Sequence, residues 1–225
     1  MPPWSHDLSA ARGRRGRLVT LLALIRHGQT DWNADGLLQG STDIPLNDIG
    51  RQQARDAIST LRSRPWDVVV SSPLERARET AAIIAVGLGI PLGDAYPGLA
   101  ERDYGVLEGT PAAAAIEKWP SRDYPGAETL EAVATRGEEA LAAIAADFPD
   151  GAVLVVCHGT IIRYTLARLA GRPVPGIDNG SISMARAARG GWDVLTVNGI
   201  PLGEIPDDHA ARLPSRAGEE GTHAG

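Results

Sequence analysis

The sequence predicts an α/β fold, a three-layer sandwich with a mostly parallel central sheet and helices on both faces. Three observations point there. Short apolar runs at residues 18–25 and 152–157, and the valine-rich segment 66–70, read as strands of a buried sheet. Segments with helical spacing of apolar residues separate them, and strands that alternate with helices form parallel sheets. The chain has 225 residues, enough for one α/β domain with a sizeable core.

Each element has its own signal. Residues 18–25 are apolar throughout and stop at Arg26. The polar stretch 26–44 reads as a long loop with room for a helical turn, and loops of that length in compact domains are usually functional. Asn47 is a helix N-cap, followed by Ala54, Ala57, Ile58 and Leu61 at helical spacing. Residues 66–70 carry Val68, Val69 and Val70 and read as a strand. Ser72 and Glu75 match a capping box with Pro73 at the first helical position, so a helix is expected from there to about Val86, ended by Gly87 and Gly89. Residues 91–128 are irregular, with one short helix at 112–119. A long helix is expected over 129–148, with Ala140, Leu141, Ile144 and Phe148 on one face. A strand at 152–157 and a helix at 159–169 follow. Residues 181–187 and 192–197 pair as a hairpin around Arg189-Gly190-Gly191. Residues 1–17 are expected to be a disordered basic extension, 18–200 the catalytic domain and 201–225 a mobile tail.

Composition excludes several functions. The formal charge of −6 argues against nucleic-acid binding. Cys157 is the one cysteine, which rules out an intrachain disulfide and Cys-rich zinc sites. Of the histidines His6, His27, His158, His209 and His223, three fall in the expected tails, so no histidine-built metal site and no cofactor are expected. The eight-residue apolar run at 18–25 is far short of the ~20 residues of a membrane span and has no small-x-small cleavage site after it. The protein is therefore expected in the cytoplasm, with no membrane partner. Apolar segments near the hairpin would permit a homodimer.

In parallel sheets the ligand crevice lies at the carboxyl ends of the strands. Three expected strands end in Arg26-His27-Gly28, Ser71-Ser72-Pro73 and His158-Gly159-Thr160, so these ends should meet. Arg26, His27, Arg76 and His158 would then form one cationic pocket. Any one of them alone is ordinary structure; their convergence is the signal. Arg76 falls in the first turn of its helix, where the dipole disfavours a cation unless an anion is also bound. Surrounding positive charge should keep His27 neutral, and its second ring nitrogen should donate to a carbonyl near Gly28. Cys157 should point away from His158, into the core.

Several segments together resemble the histidine phosphatase superfamily, in the branch that holds phosphoglycerate mutases and small-molecule phosphatases. They are Arg26-His27-Gly28-Gln29-Thr30-Asp31-Trp32-Asn33, Gln39-Gly40-Ser41-Thr42-Asp43-Ile44-Pro45-Leu46-Asn47, Ser71-Ser72-Pro73-Leu74-Glu75-Arg76-Ala77, Glu101-Arg102-Asp103-Tyr104-Gly105-Val106-Leu107-Glu108-Gly109, Gly126-Ala127-Glu128-Thr129 and Val156-Cys157-His158-Gly159-Thr160. The resemblance implies a nucleophile at His27 that becomes phosphohistidine. It implies phosphoryl binding by Arg26, Arg76 and His158 with Asn33, and an acid, then base, at Glu101. Gln39, Gly40, Tyr104, Gly159 and Thr160 match positions that line the substrate pocket.

The same site supports hydrolysis or phosphoryl transfer between hydroxyls. Mutases of this type carry a long insertion after the Glu-Arg-x-Tyr-Gly segment, a lysine soon after it and a pair of arginines. Here the interval from Gly109 to Gly126 is short, Lys118 is the chain's one lysine and Arg122 has no neighbouring arginine. A second anionic group would thus have few cationic partners. Metal-independent hydrolysis of a small-molecule phosphate ester is the favoured reading, ahead of phosphoglycerate mutase activity and of a non-catalytic phospho-ligand module. Sugar phosphates, phosphoglycerates and nucleoside-like phosphates such as α-ribazole phosphate all remain open as substrates.

Overall fold

The computed structural model describes residues 19–188 and 190–206. Residues 1–18, which hold the expected basic extension, Arg189 and the chain beyond 206 lie outside the described residues. Seven strands form one sheet in the order β3-β2-β4-β1-β5-β6-β7. The apolar runs give β1 (Thr20–Arg26), β2 (Val68–Ser71) and β4 (Ala152–Cys157), each buried along nearly its whole length. They run parallel, with Ile25 opposite Val156 and Val70 opposite Val155. This register brings Arg26, His27, Ser71, Ser72 and His158 to one end of the sheet.

Alternate residues of these strands enter two different cores. Leu22, Leu24, Val70, Val153 and Val155 pack with α5 (Leu130–Asp147) and α6 (Gly159–Ala170). Leu21, Ala23, Ile25, Val69, Leu154 and Val156 pack with α2 (Asp48–Leu61) and α3 (Glu75–Leu88). A strand clothed in this way needs apolar side chains at every position, which is why the runs do not alternate with polar residues. Cys157 belongs to the first core, as the strand geometry required.

The cap of α3 differs from the sequence expectation. Its first residue is Glu75 and its N-cap is Leu74, which has no side-chain cap. Ser72 is used elsewhere, and the missing acceptor comes from a distant loop: Asp43 Oδ2 accepts from the Glu75 N–H at 2.7 Å. Gly87 lies inside the helix, whose end is Gly89 in the left-handed conformation (φ 69°). Trp66 stands outside β2 and donates its indole N–H to the Leu61 carbonyl.

The remaining elements frame the crevice. Two short helices, α1 (Asp31–Ala34) and α4 (Ala112–Lys118), interrupt the long loops. An edge strand, β3 (Leu92–Ala95), pairs with β2 and was not legible in the sequence. Its Leu-Gly-Asp-Ala composition and exposed side chains carry no strand pattern. The hairpin is β5 (Ile182–Ala188) with β6 (Gly191–Val197). Beyond it β7 (Ile200–Pro201) pairs with β6, and Ile205 is buried with its carbonyl bonded by Arg172, so the domain runs past residue 200. β5 lies antiparallel to β1, with Ile25 opposite Ile182, which sets the turn before β5 beside His27. No described helix is long and apolar enough to cross a membrane.

Candidate active site

His27 leaves the end of β1 with its backbone held on both sides. Its N–H donates to Cys157 O at 2.9 Å, and its carbonyl accepts from Asn179 Nδ2 at 3.0 Å. Nδ1 lies 2.7 Å from the Gly28 carbonyl. A carbonyl oxygen only accepts, so the proton sits on Nδ1 and the lone pair on Nε2. Burial, then the charges of Arg26 and Arg76, holds His27 well below the usual histidine range, so its ring is neutral. The loop that turns here needs Gly28: a Cβ would come within 2.2 Å of the Gly50 carbonyl oxygen in α2.

The second histidine faces the first, with ring centroids 5.0 Å apart in an edge-on arrangement. His158 is fully buried and also held well below its usual range, by burial and then by Arg76, His27 and Arg26. Its Nε2 lies 2.7 Å from Ser72 Oγ. That hydroxyl also accepts from the Leu74 N–H at 3.3 Å, which fixes the oxygen against the start of α3. Nδ1, the other ring nitrogen, is buried and has no partner among the described residues. Ser72, read from the sequence as a helix cap, is therefore the residue that orients His158.

Both arginines are immobilised through part of the guanidinium only. Arg76 is fully buried at the second position of α3 and donates to Gly40 O (2.7 Å) and Thr42 O (3.0 Å), with Asp43 Oδ1 at 3.5 Å. Arg26 donates Nη1 to Ile177 O at 2.6 Å. In each case Nε is buried and has no acceptor among the described residues. A Cβ on Gly159 would stand 3.3 Å from Arg26 Nε, so this position keeps the arginine and the start of α6 in close approach. Glu101 is fixed by three backbone N–H groups: Oε1 accepts from Arg102 and Ile161, and Oε2 from Thr160.

These groups open onto a cavity of about 430 Å³ lined by Arg26, His27, Asn33, Gln39, Glu101, Tyr104, Gly159 and Thr160 among others. Arg76 and His158 lie behind this lining. Gly40 does not line it, and contributes its carbonyl to Arg76. Asn33 and Gln39 form one polar chain: Gln39 Oε1 accepts from Thr30 Oγ1 and Asn33 Nδ2, and Asn33 Oδ1 accepts from Asn179. Gln39 Nε2 has no partner among the described residues. Tyr104 Oη and Thr160 Oγ1 are 2.6 Å apart.

Sequence reasoning missed Asn179, whose Asp-Asn-Gly context reads as a turn. The signal was topological, because an antiparallel neighbour of β1 must begin where β1 ends. It also passed over Glu108, whose carboxylate accepts from the backbone N–H groups and hydroxyls of Ser41 and Thr42, and so clamps the loop that holds Arg76.

A set of buried N–H groups with no acceptor, gathered round a neutral imidazole, is built to receive an anion. Known proteins share this arrangement of sequence. A protein of Bacillus subtilis strain 168 described as the uncharacterized phosphatase PhoE is 40% identical over 153 residues, 68% of this chain and 79% of that one. An Arabidopsis thaliana protein described as a metal-independent phosphoserine phosphatase is 34% identical over 179 residues, 74% of this chain and 73% of that one. The solved structure of Bacillus stearothermophilus YhfR superposes with a TM-score of 0.72 at 28% identity, covering 80% of this chain and 97% of that one. Phosphoglycerate mutase-like proteins are among the relatives as well. The model of the histidine phosphatase superfamily, branch 1, matches residues 22–199, which span every element that carries the site, and the chain belongs to that superfamily.

Proposed function

We propose that the protein is a metal-independent phosphatase that hydrolyses small-molecule phosphate monoesters through a phosphohistidine on His27. The observation that carries this reading is the tautomer of His27: Nδ1–H is tied to Gly28 O, which leaves Nε2 as a neutral nucleophile among cations. In the first step Nε2 attacks phosphorus, an N–P bond forms and the ester P–O bond breaks. Glu101 gives its proton to the leaving oxygen. In the second step Glu101 takes a proton from water, whose oxygen attacks phosphorus as the N–P bond breaks, releasing phosphate and restoring His27. Arg26 Nε, Arg76 Nε and His158 Nδ1 donate to the phosphoryl oxygens, assisted by Asn33. Fixed donors of this kind stabilise the charge of the transition state without reorganising, at about 3–4 kcal/mol per donor.

The short segment between Gly109 and Gly126 favours water over a second hydroxyl as acceptor, because it makes a thin cover. Mutase activity is the competing outcome. The test is hydrolysis of p-nitrophenyl phosphate in excess EDTA, with trapping of an acid-labile phosphate on His27. Turnover should survive EDTA, and His27→Ala should lower kcat by roughly 10⁴-fold or more and abolish the phosphoenzyme. Unchanged turnover in His27→Ala would end this reading. Isomerisation of 3-phosphoglycerate far faster than its hydrolysis would replace phosphatase by mutase.

A further inference from the structure

We infer that Asn179, Thr80 and Gln53 are positioning residues for the nucleophile. They hold the two peptide units after His27, and so keep the Gly28 carbonyl where it selects the Nδ1–H form of the ring. Asn179 also fixes the direction in which the Asn33 amide faces. The inference deepens the phosphatase reading and rests on it. Asn179, Thr80 and Gln53 are not among the residues that line the active cavity, so they act through His27 and Asn33 and not on the substrate.

Residues 27–29 leave β1 as a loop, so neither a helix nor a strand ladder supplies their backbone partners. Each N–H and C=O is paired all the same, as buried backbone requires. The His27 N–H donates to Cys157 O at 2.9 Å, and Gln29 O accepts from the Asn47 N–H at 3.0 Å. The Gly28 carbonyl accepts from His27 Nδ1. The other three groups meet side chains from three different elements. His27 O accepts from Asn179 Nδ2 at 3.0 Å, in the turn before β5. The Gly28 N–H donates to Thr80 Oγ1 in α3 at 3.2 Å, and the Gln29 N–H donates to Gln53 Oε1 in α2 at 2.8 Å. The first peptide unit is thus held at its C=O by Asn179 and at its N–H by Thr80. The second, which carries the Gly28 carbonyl, is held at its N–H by Gln53. Rotation of either would swing that carbonyl away from Nδ1. A Cβ on Gly50 would stand 2.1 Å from Gln29 O, so the loop and α2 backbones touch with no room for water between them.

Two of these residues reach further into the site. Thr80 is fully buried, and its hydroxyl donates to Arg76 O at 2.8 Å. One side chain therefore ties the nucleophile loop to the turn of α3 that carries Arg76. Asn179 spends its two amide hydrogens on two acceptors. One is His27 O, which can only accept and so sets the amide with Nδ2 toward the site. The other is Asn33 Oδ1 at 3.1 Å. That oxygen also accepts from the Thr30 N–H at 3.3 Å, and an N–H can only donate. Asn33 accordingly turns its oxygen to Asn179 and Thr30, and its Nδ2 to Gln39 Oε1 at 3.2 Å. One Nδ2 hydrogen is left for an anion in the cavity that Asn33 lines. An amide flips end for end at little steric cost, exchanging two donors for an acceptor. A flipped Asn33 would face the phosphoryl oxygens with a lone pair, and the bond from Asn179 opposes that flip.

The test labels the histidines of the full chain with heavy nitrogen. Long-range nitrogen–proton spectra at about pH 8, where free imidazoles are neutral, then read which ring nitrogen carries the proton. The His27 signals are those absent from His27→Ala. The parent should show Nδ1–H and a bare Nε2. Thr80→Val, Gln53→Ala and Asn179→Ala should each move the His27 ring toward a mixture of the two tautomers. kcat for p-nitrophenyl phosphate should fall about tenfold in each, with KM changed less than about threefold. Thr80→Ser and Gln53→Glu keep the acceptor oxygen and should restore most of both readouts. Loss of packing alone would lower the denaturant midpoint and leave the tautomer where it was. A His27 ring that stays wholly Nδ1-protonated in all three variants overturns the inference, whatever the rates do. Asn33 is tested by combining Asn179→Ala with Asn33→Ala. Coupled residues give a double loss of kcat/KM smaller than the product of the single losses, and a loss equal to that product overturns the Asn33 half of the inference. If the parent turns over no phosphate ester, the phosphatase reading fails, and the spectra alone decide whether these residues set the His27 tautomer.

Discussion

The inner and outer ends of the cavity are built by different means. At the inner end Arg26 closes β1, and His27, Ser72 and His158 follow directly on β1, β2 and β4, so their positions are set by sheet register. At the outer end Tyr104, Arg122 and the chain between them belong to loops and short turns, and side-chain bonds hold them: Glu108 to residues 41 and 42, Arg102 to Glu128 and Arg122. A register cannot shift without dismantling two cores, whereas a loop bond can be exchanged at modest cost. This division suits an enzyme whose phosphoryl chemistry is fixed and whose specificity is adjustable. It also implies a gradient of mutational effects, steep at the strand ends and shallow at the wall.

The steepest part of the gradient is reached with Arg76→Lys. A lysine keeps the charge but loses the fork that bonds Gly40 and Thr42 while leaving Nε free. kcat should fall about 10²- to 10³-fold, the cost of one preorganised donor. A denaturant midpoint measured alongside separates this from loss of fold. A change below tenfold would mean that Arg76 only anchors the 40–43 loop.

The inner end should also make stability depend on pH. His27 and His158 have folded values well below the usual 6.5, chiefly through burial. The unfolded chain therefore binds more protons as pH falls through 6.5, and the folded state loses stability in that direction. The slope approaches about 1.4 kcal/mol per pH unit for each histidine, and the loss continues until pH reaches the depressed folded values. Phosphate bound in the pocket should flatten it by favouring the protonated rings. Denaturant titrations between pH 7.5 and 5 with and without phosphate would read both effects. Equal stability across that range would contradict burial of two neutral imidazoles.

This contrast also explains what the sequence made legible. Strands buried on both faces announce themselves as unbroken apolar runs, and β4 was readable to the residue. The helices with an apolar stripe, α2, α5 and α6, were found within a residue or two. The residues gathered at the strand ends follow from topology alone, once the sheet is taken as parallel. Illegible features depend on contacts between distant segments. Asp43 capping α3 across 32 residues leaves no local pattern, and it freed Ser72 from the cap that local reading gave it. β3 was invisible because an exposed edge strand needs no apolar code.

Ser72 tests whether the inner end depends on orientation as well as charge. Ser72→Ala removes the group that holds His158 Nε2 and so loosens the orientation of the ring. The imidazole would then meet the phosphoryl group in the productive pose for only part of the time. kcat should drop about tenfold with little change in KM. Ser72→Thr, which keeps the hydroxyl, should recover part of the loss if the added methyl is accommodated. An unchanged kcat would reduce Ser72 to packing.

At the shallow end lies Tyr104→Phe. The hydroxyl bonds Thr160 Oγ1, but Thr160 is only half-buried, so water can replace the lost partner. The ring, which packs near Arg102 and Tyr124, is retained. A neutral hydrogen bond of this kind contributes about 0.5–1.5 kcal/mol. The expected result is a change of at most tenfold in kcat/KM, carried by KM for substrates that reach the wall and nearly absent for p-nitrophenyl phosphate. A hundredfold fall in kcat for both would place the Tyr104 hydroxyl among the groups that touch the phosphoryl oxygens, and the boundary between inner and outer ends would have to be moved outward to include α6 as far as Thr160.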